Sequence, residues 1–165
     1  MGKNIRFILW LSGWSPFLFS QNVQMTLTDL VGHAEKIVRV RVVDTRARWM
    51  TDHRGTHIYT NVTIDSRDYV RGRGGGIFSI QVMGGTVDSI SQWVSHMPVF
   101  ETGEEAFLFL SNDNQLIGGS QGKLRIQEDR VHGAGAGMDT ESFRARIQAI
   151  VERRDRPARD LEKSV

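Results

Sequence analysis

Two neighbouring stretches of this chain alternate apolar and polar residues with a period of two, the pattern of a strand with one buried face. In Ile37 to Trp49, Val38, Val40 and Val42 face one way while Arg39, Arg41 and Asp44 face the other. Beyond the turn-forming segment TDHRG (Thr51 to Gly55), Ile58, Thr60, Val62 and Ile64 share one face, and Tyr59, Asn61, Thr63 and Asp65 the other. The two runs pair as a long β-hairpin, around which the rest of the chain must be organised.

The glycine cluster RGRGGG (Arg71 to Gly76) ends the hairpin, and Ile77 to Met83 follows as a third strand with Phe78, Ile80 and Val82 inward. Gly84 to Glu101 has no sustained period and reads as a long excursion, which in a compact domain points to a functional or well-packed loop. Ala106 to Leu110 (AFLFL) is apolar on both faces, as expected of a central strand. After the turn NDN (Asn112 to Asn114), Leu116-Ile117 and Gly122 to Gln127 supply two more strand segments. A short helix over Met25 to Glu35, capped by Thr26 or Thr28, precedes the strands and is expected across one end of the sheet. A second, capped by Asp139 or Thr140, carries Phe143, Ile147, Ile150 and Val151 on one face. The expected fold is mainly β: a small OB-like antiparallel barrel of five to six strands with an N-terminal and a C-terminal helix.

The first residues have the grammar of an export signal. Lys3 and Arg6 are followed by an apolar run from Phe7 to Phe19, interrupted only by Ser12, Gly13, Ser15 and Pro16. Thirteen residues fall short of the about 20 that a membrane-crossing helix needs. The expectation is therefore a signal peptide over residues 1–20, leaving no stable transmembrane segment, and a periplasmic or secreted protein. Residues 21–131 form the barrel domain, 132–138 a glycine-rich linker, 139–153 the C-terminal helix and 154–165 a disordered basic tail.

Removing Lys3 and Arg6 leaves 19 basic residues against 19 acidic ones, so the mature chain is neutral. Seven of those bases fall within Arg144 to Val165, which makes the body mildly acidic and argues against nucleic acid as a partner. The absence of cysteine excludes disulfides, thiolate metal sites and a thiol nucleophile.

Few residues carry a chemical signal. His53 and His57 have the spacing of a zinc-binding helix, but the glutamate of that motif is missing and Gly55 lies between them in a turn. GGSQGKL (Gly118 to Leu124) lacks phosphate-loop spacing and reads as a tight turn; its Gln121 and Lys123, with Trp93 of the excursion, are the weak candidates for a binding patch. Trp49 and Trp93 are expected mainly as core anchors, with a rim position as the alternative. Glu104-Glu105 reads as a charged turn rather than an acid/base pair, since neighbouring strand residues face opposite ways. No catalytic set, metal site or cofactor site emerges.

Five phrases, LTDLVGHAEKIVRVRVV, YTNVTIDSRDYVRG, FSIQVMGGTV, MPVFETGEEAFLFLS and GGSQGKLRI, resemble a family of uncharacterised exported bacterial proteins, across Leu27 to Ile126. More distantly the arrangement is similar to the OB-type barrels of netrin-like and tissue metalloproteinase inhibitor modules, although inhibition through an N-terminal cysteine is unavailable to this chain. The resulting expectation is a non-catalytic binding or accessory module of the envelope, its ligand an envelope or extracellular protein, peptide or glycan on the strand face or under the excursion. The alternatives are a hydrolase joining a histidine to Asp88 or Glu101 only in three dimensions, and a protease inhibitor that does not use cysteine.

Overall fold

The computed structural model describes residues 24–53, 55–134 and 137–156. The expected signal segment lies outside the described residues, as does the tail beyond Arg156. Strands β1 (Lys36–Asp52) and β2 (Gly55–Arg71) form the anticipated hairpin, each longer than the alternating sequence indicated. They are followed by β3 (Ile77–Met83), β4 (Gly85–Val87), β5 (Ile90–Gln92), β6 (Glu105–Leu110), β7 (Lys123–Gln127), β8 (Arg130–Val131) and β9 (Met138–Asp139). Helix α1 (Leu27–His33) precedes the strands and α2 (Thr140–Asp155) ends the described chain. Seven strands make one antiparallel sheet in the order β3-β2-β1-β6-β7-β8-β9, and β4 pairs with β5 alone.

A register shift between Val42 and Asp44 bends β1 and reverses its facing. Val38, Val40 and Val42 are buried before the shift; beyond it the odd residues Thr45 and Ala47 face inward, opposite Val62 and Thr60. Asp44 therefore lies opposite Val42 in facing although both numbers are even.

Both faces of the sheet are buried near β1 and β6, which explains the doubly apolar AFLFL. On one face Ile37, Phe107, Phe109, Leu124 and Ile126 pack under α1 and α2, with the Phe107 and Phe143 rings 5.3 Å apart. A reciprocal bond between Thr26 and Asp29 caps α1, and the Asp139 carboxylate accepts from the Ser142 N–H to cap α2. The Arg71 guanidinium donates to the Val31 and Ala34 carbonyls at the end of α1 and pairs with Asp155 of α2 at 3.3 Å. Arg144 of α2 pairs with Asp68 of β2. The helices thus cover a sheet face rather than one end. On the other face Val40, Val62, Ile64, Val82 and Leu108 form a second core, into which Phe100 descends from the excursion.

Several expectations need correction. Among the described residues no ladder joins β3 to β9, so the sheet is open and does not close into a barrel. Leu116-Ile117 contributes a single bridge, Leu110 to Leu116, instead of a strand. The excursion contains the β4–β5 hairpin, whose three-residue strands are too short to announce a period. Trp49 and Trp93 are 44% and 78% exposed, because the bend in β1 and the excursion carry them beyond both cores. The linker's end pairs as β9, and α2 runs two residues past Arg153. No helix among the described residues is long and apolar enough to cross a membrane.

Candidate functional site

The excursion from Gly84 to Phe100 is fastened to the rest of the domain at three places and leaves a cleft over the sheet face. At its start, Gly84 and Gly85 both take positive φ, which lets the chain leave β3 abruptly. A Cβ on Gly85 would lie 2.3 Å from the Thr60 hydroxyl, which itself donates to the Gly84 carbonyl at 2.7 Å. The Gln92 side chain then stands in for a strand, its Oε1 accepting from the Ile58 N–H at 2.6 Å and its Nε2 lying 3.1 Å from His57 Nδ1.

At the second place the His96 carbonyl accepts from the Ser120 N–H at 2.8 Å, in the one-turn 3-10 segment Gly119–Gly122. Gly119 has φ +59, and a Cβ there would lie 2.3 Å from that carbonyl, so the close approach requires glycine. GGSQGKL is thus a tight turn, as its composition indicates, with the excursion leaning on it.

Lys123 makes the third attachment. Its side chain is 10% exposed and its ammonium straddles the Glu104 carboxylate, 2.7 Å from Oε1 and 2.8 Å from Oε2, with hydrogen-bond alignment to Oε2. The same ammonium bonds the Val99 carbonyl and lies 4.4 Å from the centre of the Phe100 ring. Glu104 is 3% exposed in its side chain, and its Oε2 also accepts from the Glu101 N–H at 3.1 Å. Desolvation holds the Lys123 pKa below the ordinary lysine value, against the opposing pull of Glu104.

The cleft has a volume of about 450 Å³, within the range of about 300–1,000 Å³ usual for small-molecule sites. Its floor is Thr45, Ala47, Thr60 and Val82 of the sheet, and its roof and rim come from Trp93, Met97, Val99 and Phe100. None of its sixteen lining residues is charged, in a chain of which 24% are. Its hydrogen-bonding groups are neutral: threonines, Ser91, Gln92, the Trp93 indole N–H and backbone. Such a surface suits a neutral ligand and gives an ionised one no counter-charge.

Of the three residues singled out in the sequence, Trp93 stands at the rim of this cleft. Lys123 lies behind it as the clamp on Val99 and Phe100, and Gln121 accepts from the Met25 N–H at 2.6 Å, holding the start of α1 to the turn. The three do not form one patch. Sequence reasoning missed Gln92 and Glu104, whose roles depend on partners 34 and 19 residues away. It did place Glu104 and Glu105 on opposite faces, where Glu105 pairs with Arg39 at 3.0 Å.

A second cleft beside the turn Gly103-Glu104 is polar, lined by Arg39, Arg125, Glu101, Glu105, Glu128 and Asp129 among others. Both of its arginines are paired, Arg39 with Glu105 at 3.0 Å and Arg125 with Glu101 at 3.4 Å and Glu104 at 3.6 Å, and five carboxylates leave its lining acidic on balance. Asp88, one carboxylate considered as a histidine's partner, sits at the tip of the β4–β5 turn, and Glu101, the other, is the partner of Arg125. His33 Nδ1 lies 2.8 Å from the Asp29 carbonyl. Among the described residues no three histidines or carboxylates are grouped to hold a metal ion. No protein-family model matches the sequence, and no curated protein matches it significantly.

Proposed function

We propose that this chain is a non-catalytic binding module of the bacterial cell envelope, periplasmic or secreted, that holds a neutral, partly apolar ligand in the cleft under the excursion. The observation that carries this reading is the uncharged lining of a 450 Å³ cleft with an exposed tryptophan at its rim. A tryptophan offers a flat apolar face together with an N–H donor, a combination suited to a sugar ring or to a peptide side chain. The envelope location rests on the basic and apolar character of residues 1–20. An OB-like relationship rests on the bent β1–β2 hairpin with β6 laid along β1, and implies nothing about the ligand.

The test is retention of an envelope component by the immobilised protein, compared with Trp93→Ala at the rim and Ala47→Leu in the floor. Both substitutions should lower retention at least tenfold while leaving the thermal midpoint within a few degrees. Equal retention by all three proteins would show that the ligand is not held in the cleft.

A further inference from the structure

The open edge of the sheet faces a slot whose other wall is also backbone. Bonds from the Gly84 N–H to the Ile58 carbonyl and from the Ser66 N–H to the Gly76 carbonyl set the phase of the β2–β3 ladder. With that phase Phe78, Ile80 and Val82 bond toward β2, and the N–H and C=O groups of Ser79, Gln81 and Met83 point away from it. Across the slot, the Ser111 N–H bonds the Gln115 carbonyl and the Ile117 N–H bonds the Phe109 carbonyl. The intervening Leu116 therefore turns its own N–H and C=O away from β6. Between these edges lies about 590 Å³ of open space, lined by Ile80 to Met83 on one side and by Asn114 to Leu116 on the other.

We propose that this slot receives an extended peptide segment of a partner protein, which adds as a strand between β3 and Leu116 and bridges the gap in the sheet. A strand presents N–H and C=O alternately to left and right, so a single segment can satisfy both walls at once. The β3 edge carries no charge, proline or bulge over Ile77–Met83, the devices that ordinarily protect a free edge from pairing. The walls also set the pattern of the guest. Side chains turned inward meet Ile80, Val82, Leu116 and Met97 and should be apolar; those turned outward meet Gln81, Tyr59 and Asp52 and should be polar. Asp52, the one charged residue among the thirteen that line the slot, accepts from the Tyr59 hydroxyl at 2.7 Å, so the backbone edges rather than charge select the guest. A second copy fits poorly, because its own β3 is already bonded to its β2 and could not also pair with Leu116.

The probe is a capped seven-residue peptide, lysine-valine-threonine-valine-threonine-valine-lysine, titrated into the full chain while amide hydrogen exchange is followed. Binding should slow exchange at Ser79, Gln81, Met83 and Leu116 at least tenfold. Affinity should fall at least tenfold when the peptide is N-methylated at alternate residues. Gln81→Pro, which removes one outward backbone donor and no backbone bond to β2, together with the side-chain bond from Gln81 to Asn61 at 3.1 Å, should weaken binding similarly. The N-methylated peptides give the same answer with unaltered protein if that variant fails to fold. Any of four results would overturn the proposal: no binding at millimolar peptide, affinity indifferent to N-methylation, protection confined to the cleft under the excursion, or concentration-dependent protection of the same four amides without peptide. The last would identify a second copy as the occupant.

Discussion

At the residue scale the buried pair of Lys123 and Glu104 matters most, because it fixes the roof of the cleft without lining it. Removing one member of a buried ion pair leaves the other desolvated and unpaired, at a cost of about 3–5 kcal/mol. Lys123→Ala and Glu104→Ala should each destabilise the chain by that order, as measured by urea unfolding, whereas the double variant Lys123→Met with Glu104→Leu should recover most of the loss. Gly119→Ala tests the second attachment. Its positive φ and the 2.3 Å approach to the His96 carbonyl forbid a side chain, so a loss of about 1–3 kcal/mol is expected from the same measurement. Lys123 stood out in the sequence for the wrong structural reason: next to a glycine turn it looked accessible, and nothing local reveals a carboxylate that reaches it from 19 residues away.

At the element scale the long hairpin, β3, β6 and β7 were legible, because each alternates or is doubly apolar over five residues or more. The bend at Val43 was hidden, although Asp44, placed by its charge on the wet side, is its trace. The β4–β5 hairpin escaped because three residues cannot show a period of two. Both helices were legible from their caps, and those caps carry a pH dependence. Hydrogen bonds from the Thr26 side chain and backbone hold the Asp29 pKa below the ordinary aspartate value, and bonds from Ser142 do the same for Asp139. A carboxylate with a lowered folded-state pKa contributes stability above its unfolded value, and the contribution is lost as pH falls through the folded one. The urea midpoint should therefore fall as the solution is acidified below about pH 4, and Asp139→Asn should flatten that fall. An unchanged slope in Asp139→Asn would assign the acid sensitivity to other carboxylates.

At the scale of the whole molecule, a sheet covered by two helices on one face is closed on the other by its own bend and by a loop clamped at three points. Mainly β architecture followed from strand periodicity. The open edge did not, because barrel closure depends on whether the last strands reach the first, and Leu116-Ile117 has too few residues in register to bridge that distance. The cleft was legible only as the expectation that a long loop lies over a strand face; its uncharged lining is assembled from β1, β2, β3 and the excursion together. Whether this cleft binds a neutral ligand is read by amide chemical-shift mapping of the full chain against the component it retains from envelope extract. An uncharged component is expected, with its largest shifts at Ala47, Thr60, Trp93 and Val94; a charged component with shifts centred on Arg39, Arg125 and Asp129 would place the binding site elsewhere.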